Sequence, residues 1–466
     1  MGYGHTGVSL LDGWLPVTVQ LVAAFALGAS IAVWKKRWWA IWIPAAAVVG
    51  IVVLLVAMWY ERSQGLASDP PPSLLWWWIG IFGFVAAVFV LGLRRFSWWR
   101  RVVAALAIIL SFASAALVLN QWVGYYTTVQ EAWSQLTRGP LPDQISASTL
   151  DSLRGTQMTT GKVVPISTPK SQSHFTHRTE YVYLPPQWFT GPTPPQLPVI
   201  MMIAGEFNTP QDWLRTGNAI ATVDAYAKEH GGRAPILVFP DVGGSFNNDT
   251  ECVNGSRGDV ATHLTNEVRP YVISNFNASP AAKNWGVVGW SMGGTCALDL
   301  VVMHPDLFTA FADIAGDMAP NAGTKDQTVD RLFDGNIDDY NAFDPTQVMD
   351  RHGPYTGIWG WFDDSSGKND PQSQRFAQYM KNHPHFNHRP GGPHPGGGDG
   401  TGLGGRDNEG FQKPGSELSA ARTLCNEAKT LGVNCAVHTH DGGHTWQFAE
   451  KAFADILGPM SAQIGV

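Results

Sequence analysis

Apolar residues follow two different patterns along this chain. Over the first 122 positions they form long, nearly unbroken runs. No charged residue falls between Asp12 and Lys35, Arg37 and Glu61, Asp69 and Arg94, or Arg101 and Glu131. Each gap exceeds the ~20 apolar residues that cover a hydrocarbon core about 30 Å thick. The runs predict four spanning helices near 14–34, 38–60, 74–93 and 102–122. Four consecutive runs of this length, separated only by short charged loops, do not fit helices buried in a soluble core.

Residues 123–175 have no sustained period and carry Gly139-Pro140-Leu141-Pro142 and a Ser/Thr-rich stretch, which predicts a linker. Beyond it, a second pattern fills 176–466. Short β-rich runs at 179–184, 197–204, 235–240, 284–289, 308–315, 356–362 and 433–439 read as strands. Amphipathic stretches at 212–229, 259–276, 293–304 and 416–431 read as helices between them. Such alternation predicts a mostly parallel sheet with helices on both faces.

Charge sharpens this division. The first 122 residues hold 8 Lys+Arg and 3 Asp+Glu and the remainder 23 and 35, so the two parts carry +5 and −12. Twelve of the 20 Trp lie before residue 123, the bias expected of aromatic belts at bilayer interfaces. An acidic outer part excludes nucleic acid as a partner. Lys35-Lys36-Arg37 and the Arg94–Arg101 cluster fall in alternate loops, and the positive-inside rule puts both on the cytoplasmic side. Residues after about 122 are then expected outside the cell, on a multi-pass chain whose partner is the lipid bilayer.

The strongest chemical signal is Gly289-Trp290-Ser291-Met292-Gly293, between a predicted strand and a predicted helix. In a G-x-S-x-G turn of this kind the serine hydroxyl stands above the sheet edge, and the glycines let strand and helix approach. A serine nucleophile needs a base. His444, in Asp441-Gly442-Gly443-His444-Thr445-Trp446 after the last strand, has the chain order for it. His438 and His440 alternate along that strand and read as structural. His383, His385, His388 and His394 lie in a Gly/Pro-rich tract that reads as a solvated loop. The acid that orients the imidazole is expected from Asp363 or Asp364, which follow the strand 356–362. No metal or cofactor is called for.

Residues from about 179 to 458 resemble the esterase D-like branch of the α/β-hydrolases, which includes the mycolyltransferases of actinobacterial envelopes. The resemblance is carried by Pro198–Gly205 with Trp213, Phe239–Asn248, His263–Val272, Gly286–Gly294, His304–Phe308 and Gly443–Trp446. It implies an α/β hydrolase fold with Ser291 as nucleophile and His444 as base; the all-α four-helix transmembrane region that precedes this part, read from the apolar runs, lies outside the resemblance. The backbone N–H groups of Met292 and Glu206 would form the oxyanion hole. Mycolyltransferases take a Glu from a later loop as the acid, which makes Glu409 an alternative to Asp363 and Asp364. Where many relatives have His-Gly or Asp-Gly, this chain has Ala204-Gly205.

Four cysteines suit an oxidising compartment. Cys425 and Cys435 flank a helix-to-strand connection, and Cys252 and Cys296 lie near the expected catalytic edge. The pairs 252–296 and 425–435 are therefore expected, among three arithmetically allowed connectivities. The sequence thus describes a membrane-anchored serine esterase acting on an envelope lipid or glycolipid ester. The rival expectations are a mycolyltransferase-like acyltransferase and an inert hydrolase-fold scaffold.

Overall fold

The computed structural model describes residues 7–32, 36–64, 71–137, 141–366 and 416–466. Its contacts divide the chain into two compact units, Met1–Gly139 and Pro140–Val466.

The first unit is built from α1 (Trp14–Ile31), α2 (Ile43–Gln64, entered through a π-helical turn at Trp38–Trp42), α3 (Ser73–Gly92) and α4 (Trp98–Val123). All four are long and apolar enough to cross a membrane. They pack α1 on α4, α4 on α3 and α3 on α2, and small residues let them approach. A Cβ at Gly50 would lie 2.7 Å from the Gly80 carbonyl oxygen and one at Gly83 2.8 Å from Val53. Ala104, Ala107, Ser111 and Ser114 are buried along α4, as expected where helices associate by close packing in lipid. Phe25, Ile109 and Phe112 point outward and stay exposed. Within the basic 94–101 segment, Arg95 lies over the Trp42 ring and Phe96 packs edge-on against Trp38.

The second unit is organised around an eight-stranded sheet. Its strands are β1 (Lys162–Ile166), β2 (Glu180–Leu184), β3 (Val199–Ile203), β4 (Ile236–Phe239), β7 (Trp285–Trp290), β8 (Ala310–Ile314), β9 (Trp359–Ser365) and β10 (Asn434–His440). A two-residue hairpin, β5 (Asn254–Gly255) and β6 (Gly258–Asp259), stands apart from it. The order is β1-β2-β4-β3-β7-β8-β9-β10, with β1 and β2 antiparallel to their neighbours and the rest parallel. The helix Trp446–Ile464 packs with Ala219–Glu229 and against β7, β8 and β9. Met292–Met303, Pro345–His352 and Ser416–Thr430 form a second connected set against β7 to β10. Central strands covered on both faces read as continuous apolar runs, and all six residues of β7 are buried.

Two details differ from the sequence reading. The stretch 123–175 is more than a linker: it carries a helix at Val129–Leu136 and β1, which closes the sheet edge against β2. Pro165 and the Ser/Thr-rich surroundings mask this strand, but an edge strand tolerates proline. Strand β9 also runs past Phe362 to Ser365, because β10 pairs with Asp363, Asp364 and Ser365 through His438, Thr439 and His440. Aspartates disfavour strands, and here the ladder overrides that preference.

Both expected disulfides are present, Cys252–Cys296 and Cys425–Cys435, with Cα–Cα separations of 5.7 and 5.9 Å, inside the range a bridge needs. The first ties the loop after β4 to the helix Met292–Met303, and the second ties the helix Ser416–Thr430 to β10.

Candidate active site

Strand β7 ends at Trp290 and the next helix begins at Met292, so Ser291 reverses the chain within one residue. It does so at φ 58° and ψ −124°, a conformation that persists only where the surroundings enforce it. The Ser291 N–H donates to the Ile314 carbonyl at 2.9 Å, and its own carbonyl accepts from the Gly294 N–H at 2.7 Å. The glycines of the pentapeptide are sterically required. A Cβ on Gly289 would overlap the Gly293 carbonyl, and one on Gly293 would lie 2.5 Å from the carbonyl oxygen of Ile203.

His444 arrives from the loop after β10, and its Nε2 lies 2.9 Å from Ser291 Oγ. The ring rests 4.3 Å from the Trp290 indole, which in turn packs against Trp446 and Phe448. Desolvation among these side chains pushes the imidazole down to about 4. It is therefore neutral near pH 7 and can accept a proton. Met292 occupies the first helical position, where a backbone N–H has no acceptor within the helix. Gly205 packs on the other side, where a Cβ would sit 3.1 Å from Ser291 Cβ. The chain segment that bears Glu206 is thereby brought against the nucleophile.

Neither aspartate expected to orient His444 hydrogen-bonds to it here. Asp363 Oδ2 accepts from His440 Nε2 at 3.1 Å and from Trp361 Nε1 at 3.2 Å, and His440 Nε2 lies 3.3 Å from Asp455. Burial raises Asp363. Asp364 is buried too, and it is raised well above the ordinary carboxyl value by burial and then by Asp313, Glu417 and Asp363. Among the described residues no carboxylate hydrogen-bonds to His444. The physical reason lies in the extended strand: β9 carries Asp363 into register with His438, two positions before His440, so a strand histidine takes the carboxyl. His438 stacks on Trp361 at 3.5 Å, consistent with a structural part. Glu409 and the histidines at 383, 385, 388 and 394 lie outside the described residues.

One arrangement near the site was missed in the sequence. Arg178 donates from Nε and Nη2 to Asp241 and from Nη2 to the Asn208 carbonyl at 2.8 Å. Asp241 also accepts from the Gly243 and Gly244 N–H groups. Burial alone would raise its carboxyl, but Arg178 outweighs that and leaves it lowered. The clamp fixes the loop after β3 to the loop after β4. The signal available was position: Asp241 falls just beyond the carboxyl end of a predicted parallel strand, where site-building loops gather.

A second histidine region lies under β2. His263 Nε2 is 3.0 Å from Glu180 and Nδ1 is 2.8 Å from Glu267, all three buried. Burial pushes His263 down, and the two carboxylates more than reverse it, leaving its pKa raised. Glu267 also accepts the N–H groups of Gln172 and Ser173. With His177, the ligand atoms of Glu180 and His263 lie within 4.8 Å of one another, a grouping that could hold a metal ion. Both His263 nitrogens already face carboxylates, and those of His177 face the carbonyls of Arg178 and Thr168. The arrangement is that of an imidazolium held between carboxylates.

Fold and site together define a serine-hydrolase type of α/β protein. Residues 171–460 match the family model described as putative esterase, and the chain belongs to that family. It is an ester-hydrolysing or acyl-transferring enzyme by that membership. An uncharacterized protein of Corynebacterium glutamicum is 29% identical over 396 residues, covering 80% of this chain and 89% of its own length. That is more of this chain than the second unit contains, so the similarity reaches into the helical unit. The MPT51 antigen of Mycobacterium leprae is 25% identical over 36% of this chain and 54% of its own. The diacylglycerol acyltransferase/mycolyltransferase Ag85A of Mycobacterium ulcerans is 32% identical over 24% and 29%. Among solved structures, an S-formylglutathione hydrolase of Agrobacterium tumefaciens aligns with TM-score 0.48 at 15% identity, covering 66% of this chain and 98% of the other.

Proposed function

We propose that this protein is a membrane-anchored serine esterase whose catalytic unit works on the outer face of the membrane, on an ester of the cell envelope. The observation that carries the reading is the 2.9 Å approach of His444 Nε2 to Ser291 Oγ on a strained strand-to-helix turn. Ser291 donates its proton to His444 as it attacks the ester carbonyl. The Met292 and Glu206 N–H groups receive the oxyanion, each worth roughly 3 kcal/mol if removed. His444 returns the proton to the departing alcohol, and water cleaves the acyl-enzyme. The acid is drawn from Asp363, Asp364 and Glu409.

The outer placement rests on the alternate basic loops and on two disulfides, which persist in oxidising compartments. The name of the Mycobacterium ulcerans relative, a diacylglycerol acyltransferase/mycolyltransferase, favours a second reading, transfer of the acyl group to a sugar or lipid hydroxyl in place of water. A fluorophosphonate probe tests the first: it should label the purified chain and not Ser291→Ala. If it labels neither, the enzyme reading fails and an inert envelope scaffold remains. Acyl transfer that grows with added trehalose, at the expense of hydrolysis, would establish the second.

A further inference from the structure

The loops clamped by Arg178 hold two aromatic side chains for which the reaction above has no use. Phe246, in Gly243-Gly244-Ser245-Phe246-Asn247-Asn248, is 72% exposed. Among the described residues of the Pro140–Val466 unit the other exposed large apolar side chain is Ile337, at 45%. Phe246 meets Phe207 at 5.6 Å between ring centroids. Phe207 follows Glu206 and has φ 64°, a conformation that a bulky residue adopts under constraint. The constraint is built in. Arg178 pins Asn208 to Asp241, Asn248 Nδ2 donates to the Gly243 carbonyl at 2.9 Å, and the Asn208 N–H donates to the Gly205 carbonyl. Gly205, two residues before Phe207, packs on Ser291.

We infer that Phe207 and Phe246 form a rigid aromatic platform at the mouth of the Ser291 site that receives the acyl chain of the ester and selects apolar chains over acetyl. The inference rests on the serine-esterase reading. A rigid apolar surface beside a nucleophile gains binding from each methylene that it covers, with little side-chain ordering left to do. The segment 243–248 carries no Lys or Arg, whereas a loop that docks on an anionic bilayer would present cations. The chain of the bound ester is therefore the occupant that fits.

The test compares kcat/KM for p-nitrophenyl acetate and p-nitrophenyl octanoate, using the full chain in nanodiscs, with fluorophosphonate labelling to show that Ser291 is assembled in each variant. In Phe246→Ala the octanoate-to-acetate ratio should fall about tenfold, chiefly through KM, as expected for losing apolar cover over several methylenes. Phe246→Leu should recover part of it. An unchanged ratio, or an equal fall for both esters, overturns the platform. So does a loss confined to ester presented in anionic vesicles, which would make Phe246 a bilayer contact. If the wild-type chain is neither labelled nor active on either ester, the esterase reading itself fails, and the platform with it.

Discussion

Two histidine regions of the same unit are built to opposite rules. Around His444 the neighbours are Trp290 and the Ser291 hydroxyl, no carboxylate among the described residues reaches the ring, and desolvation lowers its pKa to about 4. Around His263 two carboxylates face the two ring nitrogens and the pKa is raised. The contrast separates a histidine kept neutral to take a proton from one kept charged to hold chain segments together. Glu267, which grips His263, also holds the backbone of Gln172 and Ser173. The first design leaves an imidazole free to react; the second uses every polar atom it has.

The largest expected effect lies in the first region. Ser291→Ala or His444→Ala should lower esterase kcat by about 10⁴-fold or more, as loss of either member of such a pair does, with the melting temperature of the purified chain little moved. A loss below tenfold would remove the pair from the chemistry. The mirror-image change, His263→Leu, should act on stability. It takes the shared cation away from two buried carboxylates, Glu180 and Glu267, a change that costs about 3–5 kcal/mol, read as an earlier thermal unfolding of the catalytic unit. Unfolding at the wild-type temperature would show the network to be ornamental.

The two regions also differ in how they could be read beforehand. Ser291 and His444 were legible because a strand-to-helix turn demands glycines at fixed offsets, and because chain order restricts the base. The four long apolar helices were legible from uninterrupted apolar length. The His263 region was not. His263 and Glu267 are four apart, but Glu180 lies 83 residues away, and no local period records a pairing made across a sheet. The partners of Asp363 were hidden for a related reason. Its carboxyl was assigned by position at a strand end, yet pairing with β10 extends the strand and delivers His440 to it. The edge strand β1 was hidden because a proline in a Ser/Thr-rich stretch looks like loop until β2 supplies its partner.

Acidity sharpens the comparison further, since the two rings pull stability in opposite directions. His263 has a raised folded pKa, so its contribution is complete below the ordinary 6.5 and is lost as pH rises through the raised value. His444 has a lowered one, so its contribution is present above 6.5 and is lost as pH falls toward about 4. Thermal melts across pH should show His263→Leu flattening the alkaline decline and His444→Leu flattening the acid one. In kinetics, the acid limb of kcat/KM should fall below 6.5, because only neutral His444 serves as base. A midpoint at or above 6.5 would mean that a carboxylate pairs with Nδ1 in the working enzyme.

The smallest effect is expected where the two designs meet. Asp363 was expected to orient His444, but its Oδ2 is held by His440 and Trp361. Asp363→Asn keeps the shape and leaves His444 with the same neighbours, so kcat should fall only severalfold, through the β9–β10 packing that His440 supports. Because burial raises Asp363, removing its charge also relieves a desolvation cost, which should hold the stability change to about 1 kcal/mol or less. Glu409→Gln, measured alongside, supplies the contrast: a fall of about 10³-fold or more there, with Asp363→Asn nearly intact, assigns the acid to Glu409. A loss in Asp363→Asn as large as that of Ser291→Ala would return the acid to β9 and erase the distinction between the two kinds of histidine.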